Sequence, residues 1–131
     1  MIFKRSRPIH LQTANVRLMR EGGPATIQIS LHDTQASHSL TILSKYENGT
    51  YFQVLVADEQ SSPPMQLPKD PYEFNMTLTL GNTGQGYSLS SDSHNITIET
   101  APLQCDEVRI ILPSANQTQR IRLGSLSLTG S

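Results

Sequence analysis

Tryptophan is absent from these 131 residues, and the other aromatics are few: three Phe and four Tyr. Cysteine occurs once, at Cys105, so neither an intrachain disulfide nor a thiolate metal cluster can be built. A chain this long folds over about two-thirds of the surface it would expose unfolded, so it needs no such staple. Neither sign of charge dominates: ten Lys and Arg against eleven Asp and Glu leave a formal charge of −1. A nucleic-acid binder would show a basic stripe, and the one basic cluster, Lys4-Arg5-Ser6-Arg7, reads as a solvated N-terminal tail. No apolar run approaches the ~18 residues of a membrane span, and no signal-type segment follows Met1. The expectation is a soluble chain.

Catalytic signatures are also missing. There is no Gly-x-Ser-x-Gly elbow, no P-loop and no Cys/His nucleophile motif. Glu47, Glu59, Glu73, Glu99 and Glu107 are scattered, and the adjacent Asp106 and Glu107 would face opposite sides of a strand. Glycoside hydrolysis needs two carboxylates about 5–10 Å apart, and no spacing here supplies such a pair. No catalytic residue, metal site or cofactor is assigned.

What the sequence does hold is period-2 alternation. Val16 and Leu18 start it, followed by Ile27, Ile29 and Leu31, then a run from Leu40 to Tyr46 and another from Tyr51 to Ala57. Phe74, Met76, Leu78 and Leu80 alternate most cleanly; Tyr87 and Leu89, Ile96 and Ile98, and Val108, Ile110 and Leu112 complete the series. Turn chemistry separates the runs, at Glu21-Gly22-Gly23-Pro24, Asn48-Gly49, Gly81 to Gly86 and Asp92-Ser93-His94. About nine short strands punctuated in this way predict an all-β, antiparallel two-sheet β-sandwich. The proline-rich stretch from Ser61 to Pro71 is the one long loop, placed between sheets because Pro cannot donate to a ladder. Residues 1–8 are expected to be the basic tail and residues 9–131 a single domain.

Asn48-Gly49 supplies the positive φ angles of a type I′ turn, which fixes a hairpin register: Glu47 faces Thr50, Tyr46 faces Tyr51, and Ser44 faces Gln53. Both faces of this hairpin carry apolar side chains, which a strand with one wet face does not need. The Tyr46/Tyr51 face, with Ser44 and Gln53, is the candidate ligand site. Sugar rings stack on aromatic faces while hydroxyls and amides orient them. On that reading Tyr51→Ala abolishes glycan retention and lowers stability only mildly.

Other clusters carry less. His32, Asp33 and His38 flank a turn, with two imidazoles and one carboxylate but no Cys partner for zinc. Asn48, Asn75, Asn95 and Asn116 head Asn-x-Ser/Thr sequons, a pattern that polar-apolar-polar strands generate on their own. Arg109, Arg120 and Arg122 form a basic strip only if their strands are neighbours.

The closing "RIRLGSLSLTGS" changes parity: Ile121 and Leu123 are odd, Leu126 and Leu128 even. One extra residue at Gly124-Ser125, a β-bulge, keeps all four on one face. A single bulged strand is expected.

From residue 72 onward, "YEFNMTLTL", "YSLSSDSHNITIET", "APLQCDEVRIIL" and "RIRLGSLSLTG" follow an order that resembles the C-terminal half of concanavalin A-like, laminin-G-like jelly-roll domains. "ATIQISLHD" and "SLTILSKYENGTYFQVLVAD" fit the earlier strands, so the resemblance covers residues 25–130. It implies a non-catalytic jelly-roll module, carbohydrate-binding or adhesive, of a larger extracellular or cell-surface protein. Its partner would be a glycan and not a nucleic acid, with further domains in the parent chain. A fragment of a glycoside hydrolase or polysaccharide lyase and a structural sandwich subunit are the alternatives.

Overall fold

Alternating apolar positions become strands here because each strand can bury one side in a shared interior. The structure, a computed structural model, describes residues 1–22, 25–47, 50–67, 73–91, 94–111 and 120–131, with backbone alone at 20–22, 25, 46–47, 74 and 120–122. Two antiparallel sheets face each other. Sheet A runs in the order β5 (Gln60–Ser61), β4 (Thr50–Ala57), β3 (His38–Glu47), β2 (Ala25–Asp33), β10 (Gln104–Ile111) and the first part of β1 (Ile2–Gly22). A further short strand, β6 (Met65–Leu67), also pairs with β4. Sheet B holds β11 (Arg120–Gly130), the second part of β1, β7 (Glu73–Leu80), β8 (Gly86–Ser91) and β9 (His94–Glu99). The architecture is the all-β, antiparallel sandwich that the alternation requires.

β1 belongs to both layers. Ile2 to His10 pair with β10, and from Thr13 onward the strand pairs with β7 and β11. Its ladder is irregular between Lys4 and Ile9, around Pro8, which has no N–H to donate. The basic segment expected as a solvated tail is therefore the start of a strand: Ile2, Phe3 and Lys4 lie opposite Arg109, Val108 and Glu107. Composition hid this, because Lys4, Arg5 and Arg7 interrupt the apolar pattern on an edge strand. The proline-rich stretch is likewise not wholly loop, since β5 and β6 extend sheet A before the chain reaches sheet B at Glu73.

The core lies between the layers. Ile27, Ile29, Leu31, Leu40, Ile42 and Leu55 from sheet A meet Leu18, Met76, Leu78 and Leu89 from sheet B, all at most 1 % exposed. Each such side chain contributes about 1.5–3 kcal/mol through burial. A polar bridge crosses the same interior: the Tyr87 hydroxyl donates to the Leu11 carbonyl at 2.9 Å and accepts the Leu103 N–H at 3.0 Å. Burial accordingly pushes the Tyr87 phenol above its ordinary range.

The closing segment is one strand with a bulge. Leu18 faces Leu123 and Arg17 faces Ser125, so Gly124 is the extra residue. Leu123, Leu126 and Leu128 then lie opposite Leu18, Val16 and Ala14, and all three pack on the core. The side chain of Ile121 lies outside the described residues.

Candidate functional site

The hairpin register is the one that Asn-Gly implies, from Glu47↔Thr50 back to Leu40↔Ala57; Asn48 and Gly49 themselves lie outside the described residues. Its polarity is reversed from expectation. Tyr51, Gln53 and Ser44 are 0, 0 and 1 % exposed, between the sheets, and Tyr46 is placed opposite Tyr51 by its backbone. Gln53 Nε2 donates to Ser44 Oγ at 3.0 Å, a polar pair buried in the core. A glycan cannot reach Tyr51, Gln53 or Ser44 without opening the sandwich, so these three do not form a surface site; the side chain of Tyr46 lies outside the described residues. Pattern could not decide the matter. Both faces of the hairpin are apolar enough for a core, and the two polar side chains that suggested a ligand serve each other instead.

The opposite parity faces outward. Across sheet A, Thr26, Lys45, Phe52 and Gln66 share one row, and Ile111, Gln28, Leu43 and Val54 the next. Ile2, Arg109, Ser30, Thr41, Val56 and Ser61 form the third row, and Lys4, Glu107, His32 and Ser39 the fourth. Leu43, Phe52, Val54 and Val56 make a half-buried apolar strip at the β3–β4 side, over which no described strand packs.

The fourth row ends in a polar cleft of about 330 Å³ lined by His32, Thr34, Ser39, Arg109 and the neighbouring turn residues. Glu107 anchors it. This carboxylate is 5 % exposed and takes Arg109 Nε and Nη2 on one oxygen, both at 2.7 Å, with Lys4 Nζ 3.9 Å from the other. Residues two apart on a strand share a face, which is why Glu107 can hold Arg109. Burial, reinforced by the Arg109 charge, lowers the pKa of His32, leaving a neutral imidazole with one donor and one acceptor. On the edge of the cleft Asp106 accepts the Thr34 N–H at 3.0 Å and the Thr34 hydroxyl, and these bonds hold its carboxyl below the usual range.

His38 closes the adjoining end of the sandwich. Its Nδ1 lies 2.5 Å from Asp58 Oδ2, while Nε2 lies 2.8 Å from Thr100 Oγ1 and 3.3 Å from the Ala101 carbonyl. Ser37 and Asp58, beside it, have positive φ angles of 53° and 54°, a conformation uncommon for any residue with a Cβ. Asp33 accepts the Ala36 and Gln104 N–H groups at 3.1 and 3.3 Å. Asp33 and His38 thus have separate local partners, and among the described residues no three His, Cys, Asp or Glu groups are arranged to hold a metal ion. Arg109 belongs to sheet A while Arg120 and Arg122 belong to sheet B, so the three do not line up as a strip. The signal missed in the sequence was Glu107-x-Arg109, an opposite-charge pair spaced for one strand face.

Compared with solved structures, the chain matches along nearly its whole length. A tetrameric galectin from the ball sponge Cinachyrella aligns with a TM-score of 0.65 at 14 % identity, covering 98 % of this chain and 97 % of that one. The fold is that of the galectins. Chicken galectin 2 gives 0.61 at 6 % identity (98 % and 97 % covered), and an ancestral congerin 0.60 at 12 % (98 % and 99 %). The jelly-roll expectation therefore holds at the level of the sandwich, with galectins among its structural neighbours. No protein-family model matches the sequence, and no curated protein matches it either.

Proposed function

We propose that this chain is a non-catalytic carbohydrate-binding module that takes its glycan on the outer face of sheet A. The observation that carries the reading is the composition of that face. An apolar strip through Leu43, Phe52, Val54 and Val56, over which no described strand packs, leads by way of Thr41 and Ser30 to the cleft of His32, Ser39 and Arg109. A pyranose offers a C–H face and a hydroxyl edge, and a site of this kind offers an apolar surface and fixed donors. The galectin-like sandwich supports the same reading, as does the placement of the cleft's carboxylates. Glu107 is neutralised by Arg109 and Asp106 is held by Thr34, so neither stands free as an acid or base. An adhesive or accessory role within an extracellular protein is the setting we propose for it.

A glycan array followed by calorimetry tests the proposal. Phe52→Ala and Arg109→Ala should each weaken retention about tenfold or more, the scale of one charged hydrogen bond or one ring contact. Ser127→Ala, on the exposed side of sheet B, should leave it unchanged. An array with no retained glycan, or equal retention by all three variants, contradicts the proposal.

A further inference from the structure

A second site lies on the flank where β1 and β10 of sheet A approach β11 of sheet B. There a cleft of about 400 Å³ opens toward the core. Val108 and Ile110, 6 and 2 % exposed, form its floor; Leu123, Leu126 and Leu128 form one wall, and Phe3, 51 % exposed, stands at the rim. Arg5 completes the lining. It lies two residues beyond Phe3 on β1, at the mouth of the cleft. Arg5 is exposed, and among the described residues no carboxylate lies within ion-pair reach of its guanidinium. Its Nε donates only a long 3.4 Å bond to the Arg7 carbonyl.

We infer that this cleft binds a free long-chain carboxylate, its hydrocarbon tail along the three leucines and its head group on Arg5. The volume falls in the range of small-ligand clefts, about 300–1,000 Å³. A mostly apolar wall with a cation at its mouth that has no ion pair among the described residues matches an amphiphile with a single negative charge. A second copy of the chain fits less well, because a two-fold contact along the β1 edge brings Lys4, Arg5 and Arg7 against their own copies. The rival role for Arg5 is a solvated edge-strand charge that discourages aggregation.

Calorimetry with sodium dodecanoate below its micellar concentration separates these. One dodecanoate should bind per chain, while hexanoate and dodecyltrimethylammonium give no measurable heat. Arg5→Gln should weaken dodecanoate about tenfold, the loss of one charge-assisted contact. Phe3→Ser should weaken it as well, while both variants keep wild-type circular dichroism and wild-type glycan retention. Absence of dodecanoate binding, equal binding of the cationic amphiphile, or an unchanged Arg5→Gln variant overturns the inference. So does co-sedimentation with phosphatidylglycerol vesicles in place of monomer binding, or a dimer by light scattering that excludes dodecanoate. The glycan readout is independent, so failure of one site leaves the other standing.

Discussion

Single residues show where burial overrides appearance. Tyr51 looks like a sugar platform in the sequence and is a core residue in the fold, wholly buried against the opposite sheet. Tyr51→Ala should cost about 3–5 kcal/mol in urea unfolding, the usual range for truncating a buried aromatic, where the surface reading expects a mild effect. Tyr87→Phe isolates a polar term. It removes the hydroxyl that joins Leu11 to Leu103, leaving a buried donor and acceptor, so a loss of about 1–3 kcal/mol is expected in the same assay. His32 supplies a pH dependence. Its pKa in the folded chain lies below the ordinary 6.5, so between those two values the unfolded chain binds more protons and stability falls as pH falls. Its contribution is complete above the ordinary value and lost on descending from it toward the lowered one. His32→Asn should flatten that part of the stability-against-pH curve; identical curves for the two proteins contradict the assignment.

Strands carry the part of the structure that was legible. The Asn-Gly turn gave the β3–β4 register residue by residue, because loop length and turn type leave no freedom in the pairing. The parity change at Gly124 gave the bulge, because only one extra residue keeps Leu123, Leu126 and Leu128 together. What stayed hidden has physical causes. Parity says which residues share a face but not which face is inside, and so the candidate site was placed on the wrong side of the hairpin. The first part of β1 lacks alternation because it runs along a sheet edge, where Lys4 and Arg5 are tolerated. The outer-face cleft is assembled from β2, β3 and β10, whose residues lie far apart in sequence and meet only through non-local pairing. The bulge itself yields a test. Deleting Gly124 leaves Leu126 and Leu128 opposite Val16 and Ala14 in a regular ladder, whereas deleting Ser127 turns Leu128 outward. The second deletion should lower the melting temperature by several degrees more than the first.

For the whole molecule, two layers joined by one long strand expose the outer face of sheet A and, beside β11, the cleft on the flank. The outer face carries the proposed function, since its apolar strip and polar cleft adjoin with no described strand packed over the strip. Titration with a glycan retained on the array, followed residue by residue in ¹H–¹⁵N spectra, tests this most directly. The account predicts shifts confined to Thr41, Leu43, Phe52, Val54, His32 and Arg109, with sheet B unmoved. Shifts clustered on sheet B, on the flank around Phe3 and Leu126, or at no site on sheet A would contradict it.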